Sequence, residues 1–198
     1  MPFVQTMVDT MVSKTIAESV AFPFYQRSFE KQLSGLIDVR SKKNGYFVYT
    51  AAKSTFAGVH MCMYEGLYDM FPNPIVGHVA ISLLVTACRH PVLNVYRIRQ
   101  TTTSFSPFRG LCYAMMEDSL STGLVLGISD VTTDITPWIK GVFLGSITTP
   151  FLYPLKSLEA RSCVSVEDKQ HLYRGYVDYL IGHTLFEIVW LTMIDSCA

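Results

Sequence analysis

The chain is poor in charge. Only 16% of its 198 residues are Asp, Glu, Lys or Arg, whereas an ordinary soluble domain has roughly 25%. The 16 basic residues balance the 16 acidic ones, and the lack of a basic excess argues against a nucleic-acid-binding protein. Disorder is excluded too, because 49% of the residues are hydrophobic and the mean hydropathy is +0.28.

Long apolar runs are also missing. The longest stretch without Asp, Glu, Lys or Arg covers residues 70–88, and Pro72, Pro74 and His78 interrupt it. A membrane-spanning helix needs about 20 apolar residues. Hydropathy alone therefore leaves two possibilities open: a soluble helical protein with a large core, or a membrane bundle whose inner faces carry polar residues.

Signals for targeting, disulfides and catalysis are absent as well. Residues 1–24 lack a basic start followed by an apolar run, which argues against a secretory signal. The five cysteines form no C-x-x-C pair, so they are expected to be small buried hydrophobes. No nucleotide-binding loop, nucleophile elbow or zinc-binding histidine spacing occurs. We therefore expect no enzyme activity, no cofactor and no metal site.

An internal repeat organises the chain. Three glycines and three acids recur every 65 residues, and each acid follows its glycine by twenty residues. A proline precedes each glycine by about the same distance and is expected to end an apolar helical stretch. The repeated positions are Pro23, Pro91 and Pro154, then Gly45, Gly110 and Gly175, then Glu65, Asp130 and Asp195. The pattern predicts three copies, over about 1–70, 71–135 and 136–198, of helix, proline turn, polar connector, glycine and helix.

Charge is sorted between the two ends of the predicted helices. The helices are expected over 4–30, 46–68, 75–100, 110–132, 138–161 and 174–196. Most lysines and arginines, with Arg89, Arg97 and Arg99 among them, fall towards the connectors that follow odd helices. The opposite ends are acidic. This sorting indicates six membrane spans with both termini on the acid-rich side.

Local motifs in the second and third repeats identify a family. Gly141-x-x-x-Gly145 precedes Pro154 in the manner of a small-residue helix-packing motif. Leu172-Tyr173-Arg174-Gly175 opens the last helix, and Phe108-Arg109-Gly110 opens the fourth. Residues 91–100 are close to a third motif, with one residue inserted, and Tyr64-Glu65 in the first repeat matches an aromatic-acid pair that closes the even helices. Together these resemble the mitochondrial carrier family over nearly the whole chain.

The resemblance implies a fold, a membrane and a lipid. The expected fold is all-α, with six transmembrane helices in three two-helix repeats around a central cavity, in the mitochondrial inner membrane. The connectors are too short for the full matrix helices of the family, as residues 101–106 show for the second repeat. Cardiolipin is expected at two helix starts, formed by Arg109, Gly110, Tyr173, Arg174 and Gly175. The alternative is that the two arginines only anchor helix ends at the interface.

Departures from the family affect both gates. Carriers pair an acid and a base after each proline, but here only Lys156 and Glu159 are charged, with the signs exchanged. At the other mouth, Glu65, Asp130 and Asp195 are acids without the expected bases. These five residues are either a relic of the gates or, for the three acids, a solvated negative rim.

The substrate positions depart as well. The family's contact points would map to Ala52, Glu117 and Gly182, which lack the arginines that hold anionic metabolites. Glu117 and Asp118 form the one acidic pair within a span. The pair is either a cation or proton site, which would serve a transporter, or a polar pair that faces a cavity or a partner.

Two functions follow from the resemblance. The first is a degenerate carrier-like protein that no longer transports and serves as a structural accessory subunit of a respiratory-chain complex, such as cytochrome c oxidase or a supercomplex. This partner is an analogy to family members that occupy such positions in some protists. The alternative is an active mitochondrial transporter of unknown substrate. The segment from Phe56 to Tyr68 is a candidate partner contact, and its alternative is to face lipid.

Overall fold

A computed structural model describes residues 2–34, 46–67, 70–98, 106–132, 134–163 and 171–197. In these ranges the chain forms six helices and no strand. They are α1 (Pro2–Leu33), α2 (Tyr46–Leu67), α3 (Pro74–Ile98), α4 (Leu111–Val131), α5 (Pro137–Cys163) and α6 (Tyr176–Cys197). The six predicted helices are confirmed. The prediction that the second connector lacks a helix falls at 101–106, largely outside the described residues.

Two helix starts follow from local sequence. Pro74 and Pro137 occupy the first helical positions of α3 and α5, where the missing N–H costs nothing. The Asn73 side chain accepts a hydrogen bond from the backbone N–H of Ile75 at 2.8 Å, which caps α3.

The prolines of the repeat lie inside helices, as the predicted ranges 4–30, 75–100 and 138–161 imply, and they do not form the proline turn expected from the repeat pattern. Pro23, Pro91 and Pro154 lie inside α1, α3 and α5. Each helix continues for at least seven residues beyond its proline. A proline removes one backbone hydrogen bond, and tight packing against neighbouring helices preserves the remaining turns.

The helices form a closed ring in chain order. Each helix packs against its two neighbours in sequence, and α6 packs against α1 to close the ring. α1 also touches α5. This cyclic order leaves a space in the middle that every helix borders.

Close helix approach at the α5–α6 contact depends on glycine. A Cβ atom at Gly141 would lie 2.6 Å from the Cα of Ile188, and one at Gly145 would lie 2.5 Å from the Cα of Thr184. The predicted role of this glycine pair in helix packing is therefore confirmed. Gly182 likewise allows α6 to approach α1 closely, because a Cβ there would lie 2.9 Å from the Cβ of Phe24.

The polarity of the bundle is reversed relative to a water-soluble protein. Among the described residues, buried polar and charged side chains outnumber buried hydrophobic ones. The outer surface is apolar, as the stripe on α1 shows most clearly. Its members are Val4, Val8, Val12, Ile16 and Val20, each at least 40% exposed. By length and composition, two helical segments could cross a membrane, Pro74–Val95 and Tyr176–Ser196.

Candidate functional site: a charged central cavity

A cavity of about 340 Å³ occupies the middle of the ring, and all six helices contribute to its lining. The lining carries four basic and four acidic side chains, so its formal charge is zero. They are Lys14, Lys53, Arg89 and Lys156, and Glu18, Glu117, Asp118 and Glu187. A cavity of this composition does not select for anions.

An ion pair links α1 and α2 across the cavity wall. The Lys53 ammonium lies 2.5 Å from a carboxylate oxygen of Glu18, whose side chain is almost fully buried. Lys53 also sits over the ring of Tyr25, 5.3 Å from the centroid. Because Glu18 lies away from water, its carboxylate is compensated by Lys53 and not by solvent.

Two further pairs join α4 to its neighbours. Arg89 and Thr86 of α3 both donate hydrogen bonds to the Asp118 carboxylate. On the other side, Lys156 of α5 donates to Glu117 at 2.9 Å. The acidic pair of the sequence therefore lines the cavity, and each carboxylate meets a base from a different neighbouring helix.

The α1–α6 side of the cavity is arranged differently. The Lys14 ammonium lies over the rings of Phe186 and Trp190, 4.7 Å and 4.5 Å from their centroids, a cation–π arrangement. Glu187 is 3% exposed, and one of its carboxylate oxygens has no hydrogen-bond partner within the described chain. Its other oxygen lies 3.9 Å from His183.

The expected substrate positions are only partly right. Glu117 lines the cavity. Gly182 packs against α1 instead. Ala52 does not line the cavity, but the next residue, Lys53, does. Arg89 was expected towards the connector that follows α3, and it lies in the cavity on Asp118.

The predicted lipid-binding turns have the same geometry in both repeats. Gly110 and Gly175 adopt left-handed conformations with φ of 80° and 84°, which favour glycine. The N–H of Arg109 donates to the carbonyl of Ser106 at 3.1 Å, and the N–H of Arg174 donates to that of His171 at 3.0 Å. The backbone hydrogen bonds at the starts of α4 and α6 also correspond, which supports the internal repeat.

In the second and third repeats, the residue before the proline forms a hydrogen bond to the turn. His90 precedes Pro91 and bonds the Arg109 carbonyl at 2.8 Å. The Tyr153 hydroxyl, before Pro154, donates to the Arg174 carbonyl. In the second and third repeats, the proline thus marks where the odd helix contacts the start of the next even helix.

The two arginines and the aromatic residues before them are exposed at the bundle end. Phe108 is 61% exposed and Tyr173 is 56% exposed. The Arg174 guanidinium donates to the Ser34 carbonyl at 2.8 Å.

Of the five predicted gate residues, the structure brings together the two on α5. Lys156 lies 2.8 Å from Glu159 on the same helix as well as bonding Glu117. Glu65 and Asp195 are exposed. The side chain of Asp130 lies outside the described residues.

The Met-rich segment of α2, expected as an outer contact, partly faces inward. Met61 lines the cavity, and the Tyr64 ring stacks on His78 of α3 with centroids 3.4 Å apart. Gly58 packs against Met11 of α1, where a Cβ would lie 2.7 Å from its Cγ. These contacts pack the segment against α1 and α3.

Several cavity residues were missed by the sequence analysis, among them Lys14, Glu18 and Glu187. A signal for α1 was present, because Thr10, Lys14 and Glu18 recur every four residues. They lie opposite the valine stripe, in the pattern of an amphipathic helix with its polar face inward.

No protein-family model and no curated protein matches the chain.

Proposed function

We propose that this protein is a six-span protein of the mitochondrial inner membrane with a carrier-like bundle. Support comes from its apolar outer surface, its polar interior and the cyclic order of its helices. The carrier-like motifs and the charge sorting of the sequence support the same membrane and topology. Both termini then lie on the acid-rich side.

The function that we infer is that of a non-transporting accessory subunit of a respiratory-chain complex, with cytochrome c oxidase or a supercomplex as the partner suggested by analogy. The observation that carries this proposal is the pairing of cavity charges. Three of the four basic side chains in the cavity bond acids of neighbouring helices. Anionic metabolites need available cations, and alternating access needs a breakable set of contacts at each mouth.

An outward face of α4 suits a partner helix. Gly123 and Gly127 lie beside the exposed Met116 and Leu120, and a Cβ at either glycine would meet no other atom within 4 Å among the described residues. Glycines four residues apart allow close backbone approach between helices in lipid. This face therefore supports the subunit proposal.

The alternative is a transporter of a small solute, and one observation favours it. Lys14 and Glu187 are the two cavity charges that do not share an ion pair with another cavity charge. A carboxylate oxygen of Glu187 and the indole nitrogen of Trp190 lack hydrogen-bond partners within the described chain. Opposite charges in a cavity of about 340 Å³ suit a small zwitterion.

The deciding experiment is blue-native electrophoresis of mitochondria that contain the tagged protein. We expect it to migrate with a respiratory-chain complex, and migration only as a free small species would contradict the subunit proposal. Purified protein in liposomes should not exchange nucleotides, phosphate or dicarboxylates. Exchange that is abolished by Glu117→Ala would instead establish the transporter.

Cardiolipin is the lipid that we propose for the turns at Arg109-Gly110 and Tyr173-Arg174-Gly175. The exposed arginines supply positive charge beside helix N-termini, whose free N–H groups attract phosphate. Replacing Arg109 and Arg174 with Gln should lower cardiolipin retained in native mass spectrometry. Lys140→Gln at the start of α5 is the matched control, and equal retention in both variants would leave the arginines as interfacial anchors only.

A further inference from the structure

Three metal-ligating side chains converge at the bundle end where α4 begins. They are His90 of α3 and Glu159 and Cys163 of α5, and each is 2% exposed. One potential ligand atom from each lies within 4.8 Å of the other two. The sequence did not reveal this cluster, because its members are 69 and 4 residues apart and match no metal-binding spacing.

The hydrogen bonds around His90 orient its ring towards the other two residues. Nε2 lies 2.8 Å from the Arg109 carbonyl and 2.7 Å from the Asn94 amide nitrogen, so these two groups hold the Nε2 side of the ring. Asn94 is 3.1 Å and 3.2 Å from the carbonyls of Pro107 and Arg109, which engage both of its amide hydrogens. Metal-binding histidines commonly have their second nitrogen fixed on a backbone carbonyl in this way.

The other ring nitrogen, Nδ1, then faces a carboxylate. It lies 3.3 Å from Oε1 of Glu159, with the Cys163 sulfur beside them. The other oxygen of Glu159 lies 2.8 Å from the Lys156 ammonium, and the Cys163 thiol donates to the Asn94 side-chain oxygen and to the Arg109 carbonyl, each at 3.3 Å. Nδ1 of His90 and Oε1 of Glu159 both carry lone pairs, so a proton or a metal cation is needed between them. Ligands of tetrahedral zinc are about 3.5 Å apart, so the histidine and carboxylate are already placed, and the sulfur needs a shift on the order of 1 Å.

We propose that His90, Glu159 and Cys163 form a Zn²⁺ site that ties α3, α5 and the start of α4 together. One thiolate and one carboxylate neutralise the two charges of the ion, and Lys156 beside Glu159 is balanced by Glu117, so the buried group as a whole is neutral. Binding releases the thiol proton of Cys163 to solvent. Three protein ligands leave the fourth position to water. Nitrogen, sulfur and oxygen donors together favour zinc over magnesium or calcium.

The test uses the full chain purified in detergent, equilibrated with Zn²⁺ and washed, with metal measured by inductively coupled plasma mass spectrometry. We expect about one zinc per chain in the wild type and in the control Cys88→Ser/Cys112→Ser, which removes two exposed cysteines. His90→Ala and Cys163→Ser should each retain at least about tenfold less. A wild type without zinc, or full retention in Cys163→Ser, would overturn the site.

A second measurement does not depend on whether those variants fold. Co²⁺ added to the Cys88→Ser/Cys112→Ser protein should give a thiolate-to-cobalt charge-transfer band and the intense visible bands of tetrahedral coordination. Zn²⁺ should abolish both. Cobalt binding without a thiolate band would exclude Cys163 as a ligand and thus overturn the proposal.

Discussion

Two adjacent helices contain the same glycine motif and use it in opposite ways. On α5, Gly141 and Gly145 bring the helix into backbone contact with α6. On α4, Gly123 and Gly127 have the same four-residue spacing but lie against no other part of the described chain. The motif alone therefore does not decide what a helix packs against. The difference arises from orientation, because α4 turns Glu117 and Asp118 towards the cavity and its glycines outward.

The largest effect is expected on α5. Gly145→Leu should lower the free energy of unfolding in detergent by about 3 kcal/mol or more, because the side chain would overlap the backbone of α6. Thermal unfolding followed by circular dichroism measures the change. A stable Gly145→Leu protein would show that the α5–α6 contact is looser than described.

The inward face of α4 should give the next effect. Asp118→Asn leaves Arg89 without its charged partner in the cavity and should destabilise the protein by about 2 kcal/mol. The double variant Arg89→Gln/Asp118→Asn removes both charges and should recover at least half of that loss. If the double variant is as unstable as the sum of the single variants, the pair is not coupled.

The outward face of α4 should tolerate substitution. Gly127→Leu is expected to leave stability unchanged or to raise it by up to about 1 kcal/mol, since leucine favours helix and meets no neighbour. In blue-native gels, the same variant should lose the proposed association with a respiratory-chain complex. Association that survives Gly127→Leu would move the partner contact away from this face.

An exposed ion pair gives the smallest effect. Lys31 of α1 bonds Asp178 of α6 at 2.5 Å, but its side chain is 58% exposed. Lys31→Ala should therefore change stability by no more than about 0.5 kcal/mol. A loss comparable to that of Asp118→Asn would mean that the α1–α6 contact depends on this pair.

Sequence reasoning located the helices because their signals are local. Proline at a helix start, asparagine as a cap and left-handed glycine at Gly110 and Gly175 act within a few residues. The 65-residue period recurs in space as two identical turns. The glycines of α5 were predicted correctly because their spacing is itself a packing geometry.

The candidate site was less predictable because its contacts join distant residues. Lys53 meets Glu18, Arg89 meets Asp118 and Lys156 meets Glu117, each across a helix boundary. Arg89 was expected towards the connector end of α3, and its place on Asp118 in the cavity depends on how α3 is rotated against α4.

The sequence by itself determined the helical composition, the repeat and the turns, since these depend on neighbours along the chain. Only the tertiary structure decided which glycine pair is buried and which charges meet. It also brought His90, Glu159 and Cys163 together. These outcomes depend on how each helix is rotated within the ring, and that rotation is set by all six helices packing at once.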